Sequence, residues 1–360
     1  MQKHKIVILF SRLSDYMINV LDHWVKTSNV ELHVIRKEVD QKEAPFEFKN
    51  EYAGIFLYDR ETFSFETMFE KVQNINPDMI LCSGWSDKEY LKVVSYYSGK
   101  IPTVMSMDNQ WNGSIKQKIA TLVSPFTLKK KFSHIWVPGE PQVVYAKKLG
   151  FTDEQIFKGF YVANSDNFSV NIINPERKFI KRFIYVGRYV DVKGIKDLWQ
   201  AFIELQNENP NEWELICIGT GPLYEEKAEH PKIKHVGFVQ PKDLKDYMAE
   251  GGVFVLPSHF EPWGVVVHEF ALAGFPMFVS DAVGAATQFV HDNKNGYVFK
   301  RGDSLNLKEK LASMMLSNED TLKTMGEYSF NMSKTINKEN WIKTANKLLI
   351  EMKKYNELKT

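Results

Sequence analysis

Two cysteines in 360 residues leave no room for a disulfide framework. Cys82 and Cys217 each lie in an apolar, strand-like run, so buried reduced thiols are expected of both. An excess of charge of one sign is missing too. Forty-six basic and 45 acidic side chains leave a net charge of +1, which implies no global polyanion partner, and no nucleic acid is expected. No long apolar run occurs. The stretch 6–10 near the N-terminus, Ile-Val-Ile-Leu-Phe, is too short for a signal peptide or a membrane span, and a cytoplasmic protein is expected. Internal repeats, low-complexity tracts and coiled-coil heptads are absent. No His or Cys spacing suggests zinc. His134, His259 and His268 stand in no nucleophile arrangement with a Ser or Cys, which argues against a hydrolase triad.

What is present is ordinary for a globular chain, with 44% hydrophobic and 25% charged residues, at a length that suggests two domains. Apolar runs alternate with helical patterns throughout, which predicts parallel α/β architecture. In the first half strands are predicted near 5–10, 30–36, 53–58, 79–82, 102–107 and 133–137. In the second half they are predicted near 182–187, 213–218, 233–236, 252–257, 276–280 and 297–300. Each set suffices for a doubly wound sheet. The least regular stretch, about 163–180, reads as the linker, giving domains 1–165 and 166–337. A terminal helix over about 338–356 puts Trp341, Ala345, Leu348 and Leu349 on one face.

The densest chemistry lies around Glu261 and Glu269, eight residues apart. The apolar run 252–257 reads as a buried strand, and Phe270-Ala271-Leu272-Ala273-Gly274 as a helix end. Pro262 suits the first turn of that helix and Gly274 its stop. Glu261 then sits in a loop at the carboxyl end of a strand, where open α/β sheets bind ligands. Glu269 lies about two turns into the helix, whose N-terminus is an anion site. Carboxylates for sugar and ribose hydroxyls, with backbone N–H groups between them for phosphate, describe a nucleotide-sugar pocket. A second strand-to-helix loop holds Arg188 and, five residues on, Lys193-Gly194. Arginine's planar fork and lysine's compact charge can together hold a diphosphate. A third strand ends in Gly219-Thr220-Gly221-Pro222, a turn that lets backbone approach a ligand closely.

In order and spacing, Val186-Gly187-Arg188, Lys193-Gly194, Gly219-x-Gly221-Pro222, Ser258, Glu261-Pro262-Trp263-Gly264, Glu269 and Gly296 resemble glycosyltransferase family 4 over roughly residues 180–300. The resemblance implies a GT-B fold: two Rossmann-like domains facing across a cleft, with the last helix (about 338–360) crossing back to the N-terminal domain. It implies a retaining glycosyltransferase, of hexosyltransferase type, that moves a sugar from a nucleoside diphosphate sugar to a hydroxyl of a glycan or lipid-linked acceptor, in polysaccharide or glycolipid biosynthesis. The donor would bind the C-terminal domain and the acceptor the N-terminal one. Glu261, Arg188 and Lys193 would carry catalysis. Glu269, Gly219, Gly221, Phe238, Val239, Trp263, Gly264 and Val265 would bind the donor. Trp263 would line the sugar pocket or merely pack, and Phe238 and Val239 would flank the base or belong to the core. Two other readings share this fold: a nucleotide-sugar 2-epimerase, and a non-catalytic nucleotide-sugar-binding relative.

Two departures from the family stand in the N-terminal half. Many members have His near the end of the strand at 102–107; here the position holds Asp108, an acceptor-side ligand or a helix cap. Members often have a glycine-rich loop after the first strand; here it reads Ser11-Arg12-Leu13-Ser14. Asp-x-Asp, the metal signature of the other large glycosyltransferase fold, occurs nowhere. Transfer without a metal or other cofactor is therefore expected, with Arg188, Lys193 and helix amides meeting the phosphate charge. The segment 116–132 holds Lys116, Lys118, Lys129, Lys130 and Lys131 beside Phe126, Leu128 and Phe132. It reads as a solvated face, or as a peripheral contact with the inner face of the membrane if its aromatics are exposed.

Overall fold

In a computed structural model, which describes residues 2–37, 51–168 and 179–357 with side chains through 350, the chain divides into two compact units. One comprises Met1–Val162 with Lys338–Thr360, the other Ala163–Asn337. The crossing thus falls three residues before the boundary read from sequence. Residues 169–178 of the expected linker, and 358–360, lie outside the described residues.

The first unit is built on strands β1 (His4–Phe10), β2 (Val30–Arg36), β3 (Ile55–Asp59), β4 (Met79–Ser83), β5 (Thr103–Ser106), β6 (His134–Trp136) and β7 (Ile156–Phe157). They form one parallel sheet in the order β3-β2-β1-β4-β5-β6-β7. The second unit has β8 (Arg182–Val186), β9 (Glu214–Ile218), β10 (Ile233–Gly237), β11 (Val253–Leu256), β12 (Met277–Ser280) and β13 (Gly296–Phe299). They are parallel in the order β10-β9-β8-β11-β12-β13. Strands flanked by helices on both faces must be apolar on both sides. Ile6–Leu9 of β1 and all of β11 and β12 accordingly have no exposed residue. Both cysteines are buried in strands. Burial pushes the Cys217 thiol up to about 12 and raises that of Cys82 as well.

In each sheet the strand order reverses once, between β1 and β4 and between β8 and β11. The carboxyl ends of those strands frame a crevice.

The terminal helix Lys338–Glu357 belongs to the first unit. Its face Trp341, Ala345, Leu348 and Leu349 is buried. The Trp341 ring packs on Trp136 at 4.6 Å and edge-on to Trp24 at 5.5 Å. Its indole N–H donates to the Phe160 carbonyl at 2.9 Å, and that of Trp24 donates to Asn346 at 2.8 Å. Two large rings with satisfied polar edges fix this helix on the sheet layer.

The lysine-rich segment divides between its two sequence readings. Phe132 and Leu128 are buried in the core beneath β4–β6, and only Phe126 is exposed. Lys129 bonds Gln155 and lies over the Phe151 ring, and Lys131 bonds Ser95. The apolar surface of this region is instead on the helix Ile115–Val123.

Candidate functional site

The loop after β8 runs Gly187-Arg188-Tyr189-Val190 into a short 3-10 turn, Asp191–Lys193, and then the helix Ile195–Glu208. The loop after β11 runs from Pro257 to Gly264. These are the two loops that flank the reversal of the second sheet, and the sequence ties them together. The amides of His259 and Phe260 donate to the Val192 carbonyl at 2.9 and 3.4 Å. Gly194, at φ +63°, lies where any Cβ would meet the Pro257 carbonyl oxygen. Glycine there is a condition for the loops to touch.

Across this junction the Lys193 ammonium pairs with the Glu261 carboxylate, both side chains mostly shielded from solvent. Sixty-eight residues separate them in sequence. Tyr185, at the end of β8, donates its hydroxyl to the Arg188 carbonyl at 2.9 Å. Burial holds that hydroxyl's pKa well above its ordinary value, and Cys217 and the Glu261 carboxylate raise it further. Glu261 and Arg188 therefore bracket one buried phenol. His259 adds a second side-chain contact, its Nε2 2.8 Å from the Asp197 carboxylate of the helix Ile195–Glu208. Neither Tyr185 nor His259 was marked as a site residue by sequence. The available signals were a tyrosine near the carboxyl end of a buried strand and a histidine two residues before Glu261.

The loop after β9 packs on the first. Gly219, at φ +137°, leaves no space for a Cβ beside the Gly187 carbonyl, and Tyr189 N–H donates to the Thr220 carbonyl at 2.8 Å. Gly221 abuts the Tyr189 backbone in the same turn. The close approach that these two glycines permit includes one to the Arg188 loop: the room that a side chain would need at each is filled by protein backbone. Phe238 and Val239, half-buried, follow β10, two strands from the reversal.

The helix carrying Glu269 spans Val265–Leu272 and is capped by Gly264 at φ +90°. It starts later than the sequence suggested. Pro262 lies in the preceding loop, which is stitched to the loop after β12: Glu261 bridges Val283, the Gly284 amide donates to the Glu261 carbonyl at 3.1 Å, and that of Ala285 to the Trp263 carbonyl at 2.8 Å. Those tertiary bonds override proline's preference for a first helical turn. Glu269 consequently sits a little over one turn in, on the half-buried face it shares with Val265. The first-turn amides of Val265 and Val266 have no acceptor within the helix.

The Trp263 ring is 2% exposed and edge-on to Phe289 at 6.3 Å. It packs in the core, so this turn presents backbone and Val265 outward and not an indole. His268 is fully buried against Phe289 at 4.4 Å, accepts from the Ala163 amide at Nδ1 (3.2 Å), and contacts the Ser333 carbonyl through Nε2 at 3.0 Å. Burial lowers its pKa to about 4. It is a structural, neutral imidazole.

In the first unit Asp108 is half-buried in the loop after β5. Its carboxylate accepts the Tyr161 hydroxyl at 3.2 Å, and its carbonyl accepts from Gln142 at 3.0 Å. It caps no helix; the next one starts at Ile115 and is capped by Ser114. At the reversal of this sheet the Ser11 amide donates to the Ser83 hydroxyl at 2.8 Å, joining the ends of β1 and β4. Among the described residues no three His, Cys, Asp or Glu side chains cluster as metal ligands would.

Residues 168–332 match the family described as Glycosyl transferases group 1. Over 177 residues the chain is 30% identical to the alpha-monoglucosyldiacylglycerol synthase of Acholeplasma laidlawii, covering 47% of this chain and 43% of that protein. Over 176 residues it is 27% identical to an uncharacterized glycosyltransferase, MJ1178, of Methanocaldococcus jannaschii, covering 47% and 48%. The matches span about half the length of these relatives. The crystal structure of Anabaena Alr3699/HepE in complex with UDP superposes with a TM-score of 0.74 at 14% identity, over 96% of this chain and all of that one. The two parallel α/β units thus have the fold of the GT-B glycosyltransferases, and the match to the group 1 glycosyl transferases falls on the second of them.

Proposed function

We propose that the protein is a retaining glycosyltransferase of family 4 type. It transfers a hexosyl group from a nucleoside diphosphate sugar to a hydroxyl of a glycan or lipid-linked acceptor, with no divalent metal. The observation that carries this reading is the Lys193–Glu261 pair, held across the reversal of the second sheet with Arg188 on the adjoining loop and Glu269 on the following helix. The matching of residues 168–332 to group 1 glycosyltransferases supports it, as does the UDP held by the structurally similar Alr3699/HepE.

In this reading the bond from the anomeric carbon to the diphosphate oxygen breaks while one to the acceptor oxygen forms with the same configuration. The acceptor's proton leaves with the diphosphate or to solvent. Negative charge develops on the departing oxygen. Lys193, Arg188 and the first-turn amides of Val265 and Val266 stabilise it electrostatically. Glu261, placed by its pairing with Lys193, orients the sugar hydroxyls. Glu269 accepts from the ribose hydroxyls, and the loops at Gly219–Gly221 and Phe238–Val239 lie on the nucleoside side. Asp108 belongs to the acceptor side, and the protein works in the cytoplasm.

Screening nucleoside diphosphate sugars by thermal shift, then following product configuration by NMR with the stabilising donor, tests this. Transfer with retained configuration that survives EDTA is expected. Inversion, or activity abolished by EDTA and restored by magnesium or manganese, overturns the corresponding part. An epimer formed from donor alone would indicate the epimerase of the same fold.

A further inference from the structure

The helix Ile115–Val123 is anomalous among the helices of the first unit. Not one of its nine residues is buried, although five of them are large and apolar or alanine. Ile115, Ile119 and Leu122, at i, i+4 and i+7, share one face and are 76, 54 and 74% exposed. Val123 beside them and Phe126 in the next turn are exposed as well. Fourteen large hydrophobic side chains are exposed among the described residues, and five of them lie in these twelve positions. Scattered exposed apolar residues need no explanation, but a contiguous patch marks an interaction surface.

The opposite side of the helix is committed to the protein body. Gln117 donates to the Gln110 carbonyl and accepts from the Asn112 amide, both at 2.7 Å, and Ala120 packs on the core beneath β4–β6. Rotation to bury the apolar stripe would break these contacts, so the stripe faces outward by construction. At 100° per residue, Lys116 and Lys118 lie on its two flanks. Both are exposed, as is Lys130. No Asp or Glu occurs between Asp108 and Glu140, while that interval holds five lysines.

We propose that this face docks on an anionic lipid bilayer, with Ile115, Ile119, Leu122 and Phe126 entering the headgroup boundary and Lys116 and Lys118 reaching lipid phosphates from its flanks. An apolar stripe bordered by lysines is the pattern of a helix lying in the membrane interface. Lysine stems cover apolar surface while their ammonium groups stay at the polar layer. Charge selects the occupant. Two copies of this face brought together would oppose their lysines, whereas an anionic bilayer complements them. No helix among the described residues is long and apolar enough to cross a membrane, so the attachment is peripheral. This inference stands on the first unit alone and does not depend on the donor site of the second.

Flotation of the full chain with vesicles tests it. With equal parts phosphatidylglycerol and phosphatidylcholine at low salt, the wild type should float, and with phosphatidylcholine alone it should not. The double variant Ile119→Gln/Leu122→Gln, at exposed positions that no fold contact uses, should partition about tenfold less or worse. Lys116→Gln/Lys118→Gln should lose roughly fivefold per lysine and most of the salt dependence. Unchanged thermal unfolding and nucleoside diphosphate affinity in both variants keep a folding defect and a failed donor site distinguishable from lost docking. Wild type that stays down with anionic vesicles, or that floats equally well after Ile119→Gln/Leu122→Gln, overturns the proposal. So does a wild-type dimer in solution that Leu122→Gln makes monomeric, since the face would then be covered by a second copy.

Discussion

The two sheets reverse their strand order in the same way, yet the loops at the two reversals are joined by different chemistry. In the first unit the ends of β1 and β4 are tied by neutral serine contacts, Ser11 to Ser83. In the second the loops after β8 and β11 are tied by an ammonium and a carboxylate, Lys193 and Glu261, with Arg188 and Glu269 close in sequence. A parallel doubly wound sheet supplies a crevice wherever its order reverses. What the crevice binds is decided by the side chains that a few loop positions bring there. The predictions below set the charged reversal against the neutral one, in decreasing order of expected effect.

The largest effect falls on the second unit under acid. His268 is neutral in the fold with its pKa lowered to about 4 by burial, against an ordinary 6.5. The unfolded chain therefore binds the proton first, and stability is complete above pH 6.5 and lost as pH falls toward 4. The loss amounts to about 3 kcal/mol. The first unit's buried His33 is also lowered by burial, but its bond to Glu31 opposes the shift. Amide hydrogen exchange at pH 7.5 and 5 should show second-unit segments near Ala163 and Ser333 loosening more than the first-unit sheet, and His268→Phe should remove the difference. Equal loosening of both units would break the contrast.

Next is Lys193→Ala. Each charge-assisted contact is worth roughly 1.5–3 kcal/mol, so nucleoside diphosphate affinity should fall roughly 10- to 150-fold. Nucleoside affinity should hold. Calorimetry showing equal losses for both ligands would remove Lys193 from the phosphate role. Glu269→Gln sharpens the same division from the other end. Replacing a carboxylate acceptor by an amide should weaken nucleoside and nucleoside diphosphate alike, by about tenfold, and leave inorganic pyrophosphate untouched. A drop for pyrophosphate would place Glu269 at the phosphates instead.

The fold was legible because its signals are periodic and long. Alternating buried strands and amphipathic helices located β1–β6 and β8–β13, and the spacing of Trp341, Ala345, Leu348 and Leu349 gave the buried face of the last helix. β7 was invisible since two residues, Ile156 and Phe157, carry no period. The charged residues of the second reversal were legible as types at strand ends, but not their pairing, which depends on Gly194 letting two loops touch. The placement of Trp263 and Phe132 stayed open in the sequence for one reason: composition cannot tell a ring beside a loop from a ring beneath it. The start of the Glu269 helix was misplaced because Pro262 has a local preference and the loop around it answers to Val283 and Ala285. Asp108, read partly as a cap, precedes a loop whose length only tertiary contacts set.

The smallest effect belongs to the neutral reversal. Ser83 accepts the Ser11 amide and touches the Ser11 hydroxyl at 3.3 Å, so Ser83→Ala leaves one half-buried N–H to find another partner. A net hydrogen bond of this kind contributes about 1 kcal/mol, and water can reach a half-buried amide, so denaturant unfolding should show a loss of about 1 kcal/mol or less. The loop after β1 would loosen locally, while the Lys193–Glu261 junction, on the other sheet, makes no use of Ser83. Nucleoside diphosphate affinity measured by calorimetry should therefore be unchanged within error. If Ser83→Ala instead weakened the nucleotide by tenfold, the first reversal would share in donor binding, and the division between a charged donor crevice and a neutral one would not stand.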